Sequence, residues 1–345
     1  MQRIINHFTE TLIDWYSKAK RDLPWRNTSD PYKIWLSEII LQQTRVEQGK
    51  PYYERFIEHH TDVHSLADSS EREVLKLWEG LGYYSRARNL HAAAKHVSQE
   101  LNGVFPNNYK ELLKLKGIGP YTAAAIASIA FGEATPVVDG NVFRFASRFF
   151  GVKEDISKSA SRDVFEKLLL EFIPTENPGT FNQAFMEYGA TICTPAPNCD
   201  KCVFRQECYA FQNRTQLNFP IKSKKVKVEE MDLDYVIFNF ENTYLMHSRM
   251  DGIWKGLYQF HLGDNRNLDL LANQYSGMIR HKSVKIKHLL THRKLWVTFT
   301  HVEISNESMI NQLSEDFGLS KFSKEEMLTL PRPKVIVNYL QEVVI

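Results

Sequence analysis

Leu112-Leu113-Lys114-Leu115-Lys116-Gly117-Ile118-Gly119-Pro120-Tyr121-Thr122-Ala123-Ala124-Ala125-Ile126 reads as helix, glycine turn, helix. Gly117 and Gly119 let the backbone approach an anion closely. Pro120 suits the first turn of the second helix, whose N-terminal N–H groups point outward. A turn of this kind can seat a phosphate without reading base sequence. Taken alone a Gly-x-Gly is weak, because any tight helix connection needs glycine.

Downstream, Thr135-Pro136-Val137-Val138-Asp139-Gly140-Asn141-Val142-Phe143-Arg144 places Asp139 just before another helix. Asp139 is either an N-cap or a fixed carboxylate set near a developing positive charge. Upstream, a periodic run at 32–46 follows the start signal Asp30-Pro31 and predicts one long helix. Within it Glu38 shares a face with Ile34, Trp35, Leu41 and Gln42. Burial there disfavours the charged form and would let Glu38 carry a proton near neutral pH as a general acid. Reaching a helix edge, or pairing with an arginine, is the other way to accommodate it.

The chain around these segments has 345 residues, enough for two domains. Hydrophobic content of 43% with 12% aromatics is that of a folded protein, and a net charge of +2 gives no general attraction to a polyanion. Helical spacing continues to about Tyr209, with further helices expected at 71–77, 85–101, 121–131, 142–150 and 159–171. Asn218-Phe219-Pro220-Ile221-Lys222-Ser223-Lys224-Lys225-Val226-Lys227 reads as a linker. Beyond it, Tyr235-Val236-Ile237-Phe238-Asn239-Phe240 and Leu295-Trp296-Val297-Thr298-Phe299-Thr300 read as strands of an α+β region. The expected division is a mainly α region at 1–212, a linker at 213–229 and a smaller α+β domain at 230–345. No apolar run is long enough to span a membrane, and Met1-Gln2-Arg3-Ile4-Ile5-Asn6 lacks a secretory pattern, so a cytoplasmic protein is expected.

Cys193, Cys199, Cys202 and Cys208 account for every cysteine and lie in one short segment, spaced C-x5-C-x2-C-x5-C. Four thiolates on one loop suit an iron–sulfur cluster or a tetrahedral zinc, and spacing alone does not choose. Either site would be closed and structural.

Taken together, the chain resembles the helix-hairpin-helix DNA glycosylase superfamily, and within it the MutY-type adenine glycosylases. The resemblance rests on Leu23-Pro24-Trp25-Arg26, Trp35-Leu36-Ser37-Glu38-Ile39-Ile40-Leu41-Gln42-Gln43-Thr44, Gly80-Leu81-Gly82-Tyr83-Tyr84-Ser85-Arg86-Ala87-Arg88-Asn89-Leu90, Val138-Asp139-Gly140-Asn141-Val142 and Asn182-Gln183-Ala184, followed in order by the cysteine loop. It implies a six-helix barrel, a [4Fe–4S] cluster on the four cysteines at 193–208, and a double-stranded DNA substrate with adenine opposite 8-oxoguanine or guanine. It implies that Glu38 protonates the extruded adenine at N7 and that Asp139 stabilises the sugar oxocarbenium ion or its covalent adduct. Tyr121 would bond near Asp139, with Asn141 orienting it. Related bifunctional pyrimidine glycosylases carry a lysine at the position of Tyr121, and a tyrosine cannot form a Schiff base, so a monofunctional enzyme is expected.

The same resemblance puts Trp25, Arg26 and Gln183 around the base. It puts Gln43 and Tyr83 as wedges in the stack, and Gly117, Gly119 and Thr122 against the DNA backbone. Arg249-Met250-Asp251-Gly252-Ile253-Trp254-Lys255-Gly256-Leu257-Tyr258-Gln259-Phe260 and Leu290-Thr291-His292 are similar to the family's Nudix-like domain, implying that Thr291 and His292 contact 8-oxoguanine. The family usually has Phe-Ser-His where this chain has Leu290-Thr291-His292. The first cysteine spacing is one residue short, and Lys116 replaces a common proline. No Nudix catalytic glutamate cluster is present, which argues against a pyrophosphate hydrolase. A bifunctional pyrimidine glycosylase and a non-catalytic cluster protein are the remaining alternatives. A monomer, acting at the nucleoid when bound to DNA, is expected.

Overall fold

Apolar spacing of three and four residues in the first part of the chain becomes a set of packed helices in the computed structural model. It describes residues 2–223, 228–263, 278–281 and 283–342, so Lys224, Lys225, Val226 and Lys227 of the expected linker lie outside the described residues. Asp30 caps the helix Pro31–Leu41 by accepting from the N–H of Tyr32 at 2.9 Å. The expectation of one helix over 32–46 is corrected here. The helix ends at Leu41, Gln43 takes a left-handed φ of 57°, and a new helix runs Val46–His59. Apolar spacing from Tyr32 to Val46 does not mark the turn at 42–45, whose residues are partly or fully exposed and interrupt the hydrogen-bond ladder.

The chain divides into two compact units, Met1–Asp68 with Asn89–Lys225, and Ser69–Arg88 with Val226–Ile345. In the first, the helices Gln2–Ala19, Gly140–Phe150 and Pro178–Thr191 close on an aromatic core that includes Phe8, Phe145, Phe185, Tyr188 and Phe204. The rings of Phe8 and Phe204 stack at 4.8 Å and those of Phe145 and Tyr188 at 4.7 Å, and Phe145 meets Phe204 at 5.8 Å, which holds the helix after Asp139 against the cysteine loop. The hairpin's first helix is short, Tyr109–Leu112, and turns lead from it to the long second helix Pro120–Phe131.

The second unit is built on a mixed sheet. Strand Glu229–Phe240 pairs parallel with Arg293–Ile304, while Thr243–Ser248 and Val284–Leu289 add antiparallel partners. Val236, Phe238, Leu245 and Val302 pack against Ile310 and Leu313 of the helix Glu307–Asp316. Residues 69–88 group with this unit, whereas sequence spacing alone puts them in the helical region. Lys76 Nζ reaches the Leu330 carbonyl at 3.1 Å, and the Arg332 N–H donates to Glu79 at 2.8 Å. A helical period announces an apolar face without saying which core receives it. Among the described residues no helix is long and apolar enough to cross a membrane.

Candidate active site

Glu38 lies on a helix buried over most of its length and is itself only 7% exposed. The Tyr121 hydroxyl donates a hydrogen bond to its Oε2. Burial pushes the Glu38 carboxyl up to about 7 against that bond, and the Asp139 charge raises it while Arg26 lowers it. A carboxyl poised there can hold a proton and give it up near neutrality.

Asp139 is the N-cap of the helix Gly140–Phe150. One carboxylate oxygen accepts from the backbone N–H of Asn141 at 2.9 Å and of Val142 at 2.7 Å, and the other accepts from Asn141 Nδ2 at 2.8 Å. Burial raises its pKa, and these three donors oppose the rise. The cap and a functional carboxylate are therefore compatible, because the cap bonds favour the ionised form. Asn141 is held in turn by Arg144, whose guanidinium donates to Asn141 Oδ1 at 2.8 Å, to the Gly189 carbonyl at 2.7 Å and to the Cys193 carbonyl at 2.7 Å. Gly189 is needed for that approach, since a Cβ there would sit 2.5 Å from the Asn141 carbonyl oxygen.

Glu38, Tyr121 and Asp139 line one cavity of about 500 Å³, within the usual range for small-molecule sites. Trp25, Arg26, Asn141 and Gln183 line it too. Tyr121 bonds to Glu38 where the sequence reading has it near Asp139. Gln183 accepts from the Tyr16 hydroxyl at 3.0 Å, and Trp25 meets Tyr53 edge-on. Sequence reasoning missed Glu187, which lines the same cavity with no exposed side chain and binds Arg26 at 2.6 Å and Arg21 at 2.7 Å. Burial alone would raise its pKa, yet the two guanidinium groups bring it down to about 2. The available signal was its place one helical turn beyond Gln183.

A second cavity, about 390 Å³, shares Leu41, Tyr121 and Asp139 with the first and is lined by Gln43, Gly119, Thr122, Gly140 and Arg162. Asp139 thus borders both. Gly117 turns the hairpin with φ +80°, and a Cβ there would meet Asn89 Cβ at 2.7 Å. Thr122 is buried and its hydroxyl accepts from Gln42 at 3.1 Å. Gln43 is exposed in its left-handed conformation. In the second unit, Tyr83 also has a positive φ, 47°, and is 38% exposed, with the Arg86 guanidinium 5.8 Å from its ring. Left-handed backbone at residues other than glycine is uncommon and collects at functional sites. Thr291 and His292 form an exposed turn between Val284–Leu289 and Arg293–Ile304, closed by the Leu290 N–H on the Arg293 carbonyl at 2.8 Å.

The four cysteines, none of them in a disulfide, line one small space. Among the described residues no three His, Cys, Asp or Glu side chains converge as a single-ion site does; the thiols ring a space. Side-chain donors reach two of the sulfurs: Arg148 reaches Cys193 Sγ at 3.4 Å and the Tyr188 hydroxyl reaches Cys202 Sγ at 3.1 Å. A four-thiolate set with donors that offset its charge fits a metal group.

Residues 36–171 match the family described as HhH-GPD superfamily base excision DNA repair protein. The chain is 33% identical over 335 residues to the adenine DNA glycosylase of Buchnera aphidicola subsp. Baizongia pistaciae (strain Bp), spanning 94% of each chain. It is 42% identical over 222 residues to that of Homo sapiens, which covers 61% of this chain and 41% of the human protein. Among solved structures it is similar to a thermostable thymine-DNA glycosylase, with a TM-score of 0.56 and 29% identity over 61% of this chain and 98% of that one. An endonuclease III trapped on DNA shares the fold, with a TM-score of 0.53 and 22% identity over 62% of this chain and 98% of that one. The helical fold and near full-length similarity agree with the two-carboxylate cavity: this chain belongs to the MutY-type adenine DNA glycosylases of the HhH-GPD superfamily.

Proposed function

We propose that this DNA glycosylase hydrolyses the N-glycosidic bond of adenine opposite 8-oxoguanine or guanine, with Glu38 as general acid and Asp139 as the ionised partner. The observation that carries the reading is that both carboxyls line one cavity, one held near pH 7 by burial and the other bonded by three N–H donors. Burial raises both carboxyls, but three N–H donors and Arg144 oppose the rise at Asp139 while Glu38 has one opposing hydroxyl and the weaker pull of Arg26, a difference in surroundings that divides acid and charge-stabilising work between them.

The extruded adenine sits among Trp25, Arg26 and Gln183. Glu38 gives its proton to N7, the C1′–N9 bond breaks, and its electron pair leaves with the base. Asp139, oriented by Asn141, faces the oxocarbenium ion or bonds to C1′ as an adduct; water then adds at C1′, the Asp139 carboxylate leaves if bonded there, and the Glu38 carboxylate takes the water's proton. Tyr121 supplies no amine, so strand cleavage through a Schiff base does not follow. Gly117, Gly119 and Thr122 form the hairpin turn that seats the backbone, and Gln43 and Tyr83 fill the stack the base leaves.

The four cysteines hold a [4Fe–4S] cluster, which when bound supplies a closed cross-link of the loop 193–208. The described thiols and their donors support that assignment. The mixed-sheet unit, Ser69–Arg88 with Val226–Ile345, serves as a Nudix-like recognition domain. There Thr291 and His292 meet the opposite base, and the enzyme works as a monomer.

Single-turnover excision on duplexes carrying adenine opposite 8-oxoguanine, guanine or thymine tests the proposal. Fastest release opposite 8-oxoguanine is expected; action only on thymine-glycol duplexes would overturn it.

A further inference from the structure

We propose that Tyr188 is a positioning residue for the metal-bound form of Cys202, its hydroxyl donating to that ligand's sulfur. The inference rests on reading the four cysteines as a metal centre. Tyr188 is fully buried on the helix Pro178–Thr191, edge-on to Trp15 at 4.6 Å and stacked on Phe145 at 4.7 Å. Phenylalanine would fill that space as well, and a buried hydroxyl is costly unless bonded. The hydroxyl accepts from the N–H of Val203, the residue after Cys202, at 3.0 Å, leaving its single proton for Cys202 Sγ at 3.1 Å. A free thiol can donate or accept, but a ligating thiolate only accepts. The hydroxyl is therefore oriented for the loaded site.

The same residue also holds the start of the loop. The Tyr188 carbonyl accepts from the N–H of Ile192 at 3.0 Å and of Cys193 at 2.9 Å. One residue thus ties the first cysteine through its main chain and the third through its side chain. Hydrogen bonds to ligand sulfurs spread the thiolate charge, which slows metal loss and stabilises the reduced form of an iron–sulfur centre.

The test is Tyr188→Phe in the full-length loaded protein, which removes only the oxygen. Iron and sulfide content, the rate of metal release to a chelator and the reduction potential are measured beside wild type. Release about tenfold faster, with the potential moved to more negative values, is expected. Equal release rates would reduce Tyr188 to packing and overturn the proposal. Fluorotyrosine at position 188, a stronger donor of nearly the same volume, gives an independent check should the phenylalanine variant not fold. It is expected to slow release, and unchanged or faster release overturns the proposal. Zinc without sulfide in the wild-type protein would overturn the cluster reading alone, while the release comparison still decides the role of Tyr188.

Discussion

The hydroxyl of Tyr121, on the first turn of the hairpin's second helix, donates directly to the Glu38 carboxylate on a different helix. This bond favours the ionised form of Glu38 and so works against burial, which favours the protonated one. Tyr121→Phe removes the donor and keeps the ring. Burial then acts with less opposition, and the alkaline limb of the excision rate, set by a Glu38 pKa of about 7, moves to higher pH. Single-turnover rates from pH 5 to 9 measure it, and a limb that moved to lower pH would contradict the assignment of Glu38 as the acid.

Glu38→Gln should lower the excision rate by about 10² to 10⁴, the usual contribution of a positioned acid. It should also change how stability depends on pH. The folded pKa of about 7 lies above the ordinary 4.5, so between those values the native state binds more protons than the unfolded one. The contribution is present in full below 4.5 and is lost as pH rises to about 7, a total of about 3 kcal/mol. Glutamine cannot titrate. Urea unfolding at pH 5 and pH 8 should show a smaller difference for the variant than for wild type.

Asp139 combines an N-cap with the proposed charge role, and two substitutions separate them. Asparagine can accept the two backbone cap bonds from Asn141 and Val142 but not the third from Asn141 Nδ2, so Asp139→Asn should keep most of the melting temperature and lose excision. Asp139→Ala should lose both, with about 1 kcal/mol of stability removed. Thermal unfolding and single-turnover assays of the pair decide it; full excision by the asparagine variant would leave Asp139 as a cap alone.

The helices that carry Glu38 and Asp139 were legible because their apolar spacing and start signals are local. The break at Gln43 was not, since a left-handed residue leaves no mark on apolar spacing when another helix starts a few residues later. The same limit hid the place of residues 69–88, where the deciding bonds run to residues near 330. Tyr121 stands out by its hairpin position, yet its partner could not be read. A bond between residues 38 and 121 depends on how two helices pack, which no spacing along one chain encodes. Glu187 was missed because a glutamate facing two arginines distant in sequence looks like any surface acid.

Glu187 joins Arg21 and Arg26 at the cavity wall, and its removal takes away the carboxylate both guanidinium groups share, leaving Arg26 its bond to the Arg21 carbonyl at 3.0 Å. Glu187→Ala should destabilise the fold by about 3 to 5 kcal/mol, as breaking a buried pair does. Here the sign runs opposite to Glu38. The folded pKa of about 2 lies below the ordinary 4.5, so the contribution is present above 4.5 and is lost as pH falls toward 2. Acid unfolding followed by circular dichroism should show wild type losing stability across that window and the variant losing less there.

Gly117 and Gly119 both belong to the hairpin turn, but the structure asks different things of them. At Gly117, φ is +80° and a Cβ would lie 2.7 Å from Asn89 Cβ, so alanine brings left-handed strain of about 1 to 2 kcal/mol and a clash besides. The turn must shift, and with it the start of the helix that carries Tyr121. Gly117→Ala should therefore lower stability, DNA affinity and excision together. Gly119 has φ −94° and nothing within 4 Å of its missing Cβ, so alanine there is accommodated by the fold. That open space borders the cavity shared by Asp139 and the helix N-terminus, where a methyl group would stand in the way of a DNA phosphate. Gly119→Ala should keep the wild-type melting temperature while binding duplex DNA more weakly. Fluorescence anisotropy beside thermal unfolding measures both, and undiminished affinity in a stable Gly119→Ala variant would remove the backbone from this turn.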